Sequence, residues 1–273
     1  MDALVVNDVH KMFGEIEAVK GISFSVKEGE IFGLIGPNGA GKTTTLRMIS
    51  TLLSISSGSI SVYGKDVEKE SEEVRKMISY LPEDAGAYKD LTGRAYLDFM
   101  AGFFAEGEAK KAMVQKGMEI AKLGERIDSK IDTYSKGMKR RLLIARAIMF
   151  DPKLAIMDEV TSGLDVSNAF EVRDIIRNVA KGGTSIIISS HNMFEVELLC
   201  ERIAMINKGQ IVLEGTPKDL LERYQCNNLE EVFTPHRAVA SANLHQPAGR
   251  RQHRRAHPPG TGGKGRRPGG VSD

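Results

Sequence analysis

The sequence predicts an α/β fold: a parallel β-sheet core, preceded by a small antiparallel β-subdomain and interrupted by an inserted α-helical subdomain. Three observations lead there. "IFGLIG", "LAIMDE" and "TSIIISSH" are nearly unbroken apolar runs ending in polar residues, the pattern of parallel strands buried on both faces. "ALVVNDV", "ISFSV" and "SISVYG" instead alternate or are rich in β-branched residues, as strands of an antiparallel sheet do. Between about Leu91 and Ile127, "AYLDFMAGFF" and "AKKAMVQKGMEIAKL" have helical spacing and no strand pattern. A further run, Asp165 to Ala180, sets Ala169, Val172, Ile175, Ile176 and Val179 on one helical face, which makes it a crossover helix covering the sheet.

These elements need a core, and the chain can supply one. Its 273 residues are 41% hydrophobic and 27% charged, the balance of one large globular domain with a subdomain. That domain is expected at residues 1–234, with the helical subdomain inserted at about 84–150. Cys200 and Cys226 have no clustered cysteine or histidine around them, so neither a disulfide framework nor a zinc site is indicated and reduced cytosol fits. The start, "MDALVVNDVH", lacks the basic stretch and long apolar run of a signal peptide. No apolar run approaches the roughly 18 residues of a membrane span, so work at a membrane would require a partner.

The formal net charge of +2 hides two unlike parts. Residues 235–273 carry eight Arg or Lys against one Asp and four of the six histidines, whereas residues 1–234 hold 30 basic and 35 acidic residues. The tail has too little apolar surface to offset the entropy of ordering and is predicted to be disordered. Its charge would suit a basic arm for nucleic acid or anionic lipid; its composition also suits the wrong-frame reading of a GC-rich gene, hence a frameshifted, non-native end, which sequencing the gene would decide. The acidic body shows no interleaving of basic and aromatic residues, so nucleic acid is not an expected partner.

Chemistry enters with "GPNGAGKTT", Gly36 to Thr44, after the strand "IFGLI" and before the helical "TLRMIS". A turn that only joins strand to helix accounts for the glycines but not for the Lys-Thr pair, whereas a phosphate loop accounts for both. Gly36, Gly39 and Gly41 let the backbone through Pro37, Asn38 and Ala40 wrap phosphate oxygens, and the helix N-terminus adds partial positive charge. Lys42 is expected to reach the β and γ phosphates, Thr43 to bind Mg2+ and Thr44 to add an α-phosphate contact. In "LAIMDEV", Asp158 ends a buried strand where it can hold Mg2+ through water beside Thr43, and Glu159 is placed to polarise the attacking water. Alone, such a pair is often a solvated strand end. "ISSHN" puts His191 beyond another apolar strand, in reach of a γ-phosphate oxygen or that water; alone it would be a surface histidine.

In their order, "GPNGAGKTT", "YSKGM", "LAIMDEVTSGLD" and "SSHN" resemble the ATP-binding cassette ATPases, particularly those serving two-component exporters of drugs, antibiotics, sodium ions or polysaccharides. The resemblance runs from about Leu4 to Phe233 and implies a P-loop NTPase with a RecA-like parallel core. "YSKGM" is similar to the family signature, usually Leu-Ser-Gly-Gly-Gln, with Tyr134 and Lys136 as departures. Two cassettes of that family stack head to tail, which implies that Ser135 and the Gly137 N–H bond the γ-phosphate of an ATP held mainly by the other copy. Phe13 takes the place of the ring that stacks on adenine; without the resemblance it could as well be a core residue at a strand end. Asp165 matches the aspartate linking the two sites. Glu83 stands where the family has a glutamine that senses Mg2+ and water: a carboxylate keeps the metal role but cannot donate an amide hydrogen bond. Val160 replaces the proline that usually follows the catalytic glutamate. Thr92 could cap the next helix, although Ala95 occupies the place of a capping-box glutamate. Leu142, Leu143 and Ile148 are read as core, and Lys139, Arg140 and Arg141 as a solvated face.

The implied protein is a Mg2+-dependent ATPase with Glu159, His191 and Lys42 as catalytic residues. It would dimerise around two ATP and drive a separate membrane permease, an exporter, from the cytoplasmic face of the cell membrane, touching it near Glu83 and residues about 84–130. One rival is a soluble cassette ATPase of translation or DNA repair, which would carry two cassettes or a long coiled coil. Another is a phosphate-loop switch or kinase. "NKGQ", Asn207 to Gln210, nearly mimics the guanine-reading Asn-Lys-x-Asp but lacks its carboxylate.

Overall fold

The strands separate into two sheets along the lines their patterns suggest. β1 (Asp2–Phe13) and β2 (Ile16–Lys27) form a long antiparallel hairpin, extended by β4 (Ser57–Val62) and β5 (Lys65–Asp66) in the order β2-β1-β4-β5. The second sheet has the order β10-β9-β3-β8-β7-β6. In it β3 (Ile31–Ile35), β6 (Ile78–Leu81), β7 (Leu154–Asp158), β8 (Ser185–Ser190) and β9 (Arg202–Asn207) run parallel, and β10 (Gln210–Gly215) closes one edge antiparallel to β9. The computed structural model describes residues 1–233; the basic tail expected at 235–273 lies outside the described residues.

β3, β7 and β8 are the expected buried strands, and each divides its side chains between two cores. Ile31 and Ile35, Ala155 and Met157, and Ile186 and Ile188 face the helical side, whereas Phe32, Leu34, Ile156 and Ile187 face the antiparallel sheet. Alternation is invisible in the sequence because both faces are apolar. Each fully buried aliphatic side chain here contributes about 1.5–3 kcal/mol relative to an exposed one. Phe24 and Phe32 stack at 5.4 Å and join the two sheets. β6, β9 and β10 are not apparent from the sequence: β6 is four residues long, and polar residues at the ends of the other two leave only the short apolar runs 203–206 and 211–213. "NKGQ" is the tight turn of the β9–β10 hairpin, with Lys208 and Gly209 at positive φ as such turns require. The Gly209 N–H donates to the Ala40 carbonyl at 2.9 Å and its own carbonyl accepts from Lys20 N–H at 2.8 Å, so the turn braces the glycine loop instead of reading a base.

Helix α1 (Lys42–Ile49) follows β3, and α2 (Ser71–Met77) leads into β6. The helical insertion comprises α3 (Gly93–Ala101), α4 (Gly107–Ala121), two 3-10 turns and α5 (Lys136–Ile148), all between β6 and β7. Thr92 does cap α3, accepting from Ala95 N–H at 3.1 Å. α6 (Val166–Lys181) is the expected crossover helix and buries Ala169, Val172, Ile175 and Ile176. α7 (Met193–Leu199), α8 (Pro217–Tyr224) and α9 (Leu229–Val232) complete the described residues.

One local cluster in the β1–β2 hairpin gives the fold a pH dependence. His10 Nδ1 lies 2.7 Å from Glu17 and its Nε2 lies 3.4 Å from Asp8, so both ring nitrogens meet carboxylates. The bond to Glu17 raises the His10 pKa above its ordinary 6.5, and Asp8 adds to the effect against some desolvation. Because the folded value is raised, the stabilisation is fully present below the unfolded value and is lost as pH rises through the folded one. The Tm difference between the wild type and His10→Asn is therefore expected to shrink as pH rises from below 6.5 through the raised folded value. A difference independent of pH over that interval would remove the charged pairing.

Candidate functional site

Strand register builds the site. Ile35 pairs with Ser190 and Asp158 with Ser189, so β3, β7 and β8 end level with one another. Gly36, Glu159 and His191 follow those ends directly, at the carboxyl edge of a parallel sheet where such folds gather ligands. Gly36 sits so close to β9 that a Cβ would run into the Ile206 carbonyl oxygen. α1 starts without a side-chain cap and without an acidic residue in its first turn. Thr45 N–H makes the first helical bond, to Gly41, and among the described residues the N–H groups of Lys42, Thr43 and Thr44 have no acceptor.

Around this open helix start the polar side chains are buried. Lys42, 6% exposed, donates to the carbonyls of Gly36 at 2.8 Å and Pro37 at 3.3 Å, and its ammonium is 3.4 Å from Glu159 Oε1. Thr43 donates to Asp158 Oδ2 at 2.8 Å. Glu159, 5% exposed, has φ 48°, and its Oε2 lies 2.9 Å from His191 Nδ1. Its Oε1 is buried without a hydrogen bond, since Lys42 is near enough to pair in charge but not aligned to donate. An orphaned carboxylate oxygen beside free amides and a threonine–aspartate pair is an arrangement that a water, a cation and a phosphate chain would complete.

The role of Ser189 is not apparent from the sequence. Its hydroxyl donates to Asp158 Oδ1 and accepts from Glu159 N–H at 3.1 Å, tying the two acidic residues to β8. The "SS" of "ISSHN" was the available signal, but serine is too common at strand ends to single it out. Glu83 is exposed, and its carboxylate touches neither Thr43 nor Asp158; instead its carbonyl accepts from Arg140 at 3.1 Å. Phe13 is 48% exposed at the hairpin tip, so it is not a core residue. Lys11 lies 5.2 Å from its ring centroid. The same hairpin passes close to Gly41, where a Cβ would lie 3.1 Å from the Ala18 carbonyl.

A second open helix start belongs to α5. Ser135 caps it, accepting from Met138 N–H at 3.2 Å, and the N–H groups of Lys136 and Gly137 find no acceptor among the described residues. No acidic residue stands in its first turn. Tyr134 anchors the turn from below, buried and donating to the Arg126 carbonyl at 2.7 Å. Gly137 is required by packing, since a Cβ would collide with the Asn168 side chain. Asn168 is fixed in turn by Asp165, which caps α6 through Asn168 N–H at 2.9 Å and accepts from its side-chain amide at 2.6 Å. Those bonds hold the Asp165 pKa below its ordinary value. No hydrogen bond or ion pair among the described residues joins Ser135–Gly137 to Gly36–Thr44. Arg140 corrects the expected solvated face: it is 7% exposed.

A family model described as ABC transporter matches residues 19–162, more than half of the chain. The chain belongs to the ABC transporter family. It is an ATP-binding subunit of that family and an ATPase. Over 222 residues it is 41% identical to the linearmycin resistance ATP-binding protein LnrL of Bacillus subtilis (strain 168), covering 81% of this chain and 71% of that protein. Over 238 residues it is 38% identical to the Nod factor export ATP-binding protein I of Burkholderia orbicola (strain AU 1054), covering 87% and 78%. Among solved structures, CbiO1 of Clostridium perfringens, part of the ABC transporter complex CbiONQ, superposes with a TM-score of 0.74 at 26% identity, covering 89% of this ABC subunit and 95% of that chain. No helix among the described residues is long and apolar enough to cross a membrane.

Proposed function

We propose that this ABC ATPase closes as a head-to-tail pair around two ATP molecules and powers a separate membrane permease that exports its substrate. The observation that carries the pairing is the α5 start: Ser135 and the free Gly137 N–H form an anion-ready tip with no bond to the phosphate loop of their own chain. A second copy would bring that tip to the γ-phosphate. ATP then becomes the link between copies, and its hydrolysis removes the link. Within one chain Gly36–Thr44 would hold the phosphates, Phe13 the adenine, and Glu159 with His191 the attacking water. Mg2+ would be held by Thr43 and Asp158, with Glu83 approaching through water, and would neutralise charge on the phosphates.

Export is supported by the names of the two relatives, one a resistance protein and the other a Nod factor exporter. A permease contact near Glu83 is supported by an exposed aromatic row: Tyr88, Phe99 and Phe103, at 58%, 45% and 67% exposure, meet edge to face at 5.5 and 5.2 Å. Attachment to the cytoplasmic membrane face would follow from that contact, and co-purification with a multi-span protein separates this reading from a soluble cassette. The pairing is tested with Ser135→Arg. ATPase activity is expected to fall at least about 100-fold while ATP binding by single copies stays within about threefold. Unchanged turnover would mean that the tip serves no second nucleotide.

A further inference from the structure

Arg140 is the buried charge that the nucleotide site leaves unexplained. It lies one and a half turns into α5, 7% exposed, and α5 packs on β6 and on the other helices of the insertion. One nitrogen, Nη2, donates to the Glu83 carbonyl at 3.1 Å. The other, Nη1, is buried with no hydrogen bond at all. Removing a guanidinium from water while satisfying half of its fork is costly unless nearby negative charge compensates. The charges at hand are the carboxylates of Glu83 and Asp158. They pull the Arg140 pKa upward against burial, which pushes it down more strongly. Neither forms an ion pair with it, so the compensation acts across a gap and Nη1 stays available.

The position of this charge gives it a long reach. Through α5, Arg140 is continuous with the Ser135 tip; through its bond it holds the loop of Glu83; and through its field it acts on Asp158, the partner of Thr43. If Glu83 approaches the nucleotide as the proposed function has it, it would put one more negative charge near a triphosphate, which without a counter-charge would repel it. We propose that Arg140 is a positioning residue: its guanidinium ties the Glu83 loop to the signature helix and supplies the counter-charge that lets a carboxylate stand beside the bound nucleotide. The inference rests on the reading that Gly36–Thr44 and Asp158 hold the nucleotide and its cation.

A double-mutant cycle on the purified chain tests it, with Arg140→Gln, Glu83→Gln and the pair, using ATP affinity in Mg2+ and thermal melting without nucleotide. Arg140→Gln is expected to weaken ATP binding about tenfold in the wild-type background and less than about twofold in the Glu83→Gln background. The melt is expected to show the same coupling, a loss of about 2–4 °C that falls by more than half when Glu83→Gln is also present. Equal losses in both backgrounds would reduce Arg140 to packing and overturn the proposal, as would no loss in either. If Arg140→Gln alone does not fold, a cooperative melt regained in the double variant supports the coupling, and a double variant that also fails overturns it. A wild type that binds no ATP would sink the nucleotide reading, while the melt still decides the coupling.

Discussion

Glu159→Gln is expected to slow ATP turnover by about 100- to 10,000-fold while ATP stays bound, the range that loss of a general base produces. The geometry is suited to this outcome. Glutamine keeps the size of the side chain, so β7, the φ of 48° and the Ser189 bond to its N–H are not disturbed. What changes is the buried negative charge, with its Oε1 unbonded and its Oε2 at 2.9 Å from His191. An amide cannot polarise water as a carboxylate does, and its loss of charge reduces repulsion of the phosphates. Under the proposed cycle the variant should therefore accumulate as an ATP-bound dimer. Single-turnover hydrolysis with light scattering reads both effects together. A variant that remains monomeric in saturating ATP and Mg2+ would end the head-to-tail cycle, and one with undiminished turnover would remove Glu159 from catalysis.

Lys42→Ala is expected to weaken ATP binding at least about 100-fold, because it deletes the one buried ammonium at the glycine loop and the bonds that fold that loop onto itself. It carries a second consequence that a surface lysine would not. Glu159 is 5% exposed and Lys42 6%, so the change strands a buried carboxylate. Breaking such a pair from one side costs about 3–5 kcal/mol, reduced here by the His191 ring on the other oxygen. Calorimetric titration should thus show lost affinity, and melting of the nucleotide-free chain a lower Tm. Adding Glu159→Gln to Lys42→Ala is expected to recover most of that Tm without recovering affinity. An affinity within about threefold of wild type would show that Lys42 serves the loop alone.

Much of the site is legible in the chain because its parts are local. The glycines and Lys-Thr pair of Gly36–Thr44 lie in nine consecutive residues, and the acidic pair and His191 each follow an apolar run whose end is visible. Thr92 reads as a helix start for the same reason, a hydroxyl ahead of helical spacing. What the sequence does not show are the contacts whose partners are distant. Ser189 acts on Asp158 and Glu159 only because β7 and β8 are in one register. Gly137 is forced to be glycine by Asn168, which belongs to another helix. Arg140 stands in a row of three basic residues that looks like a wetted surface, and is buried because α5 turns that side toward Glu83.

The sequence by itself determined the class of fold and the family, since strand burial, helical period and motif spacing are properties of neighbouring residues. Tertiary structure alone decided which polar groups meet. Lys42 with Glu159, Thr43 with Asp158 and Arg140 with Glu83 are pairings across 117, 115 and 57 residues, fixed by sheet order and helix packing. A hydrogen bond or a counter-charge acts over a few ångströms of space, and only the folded chain converts such separations in sequence into that distance.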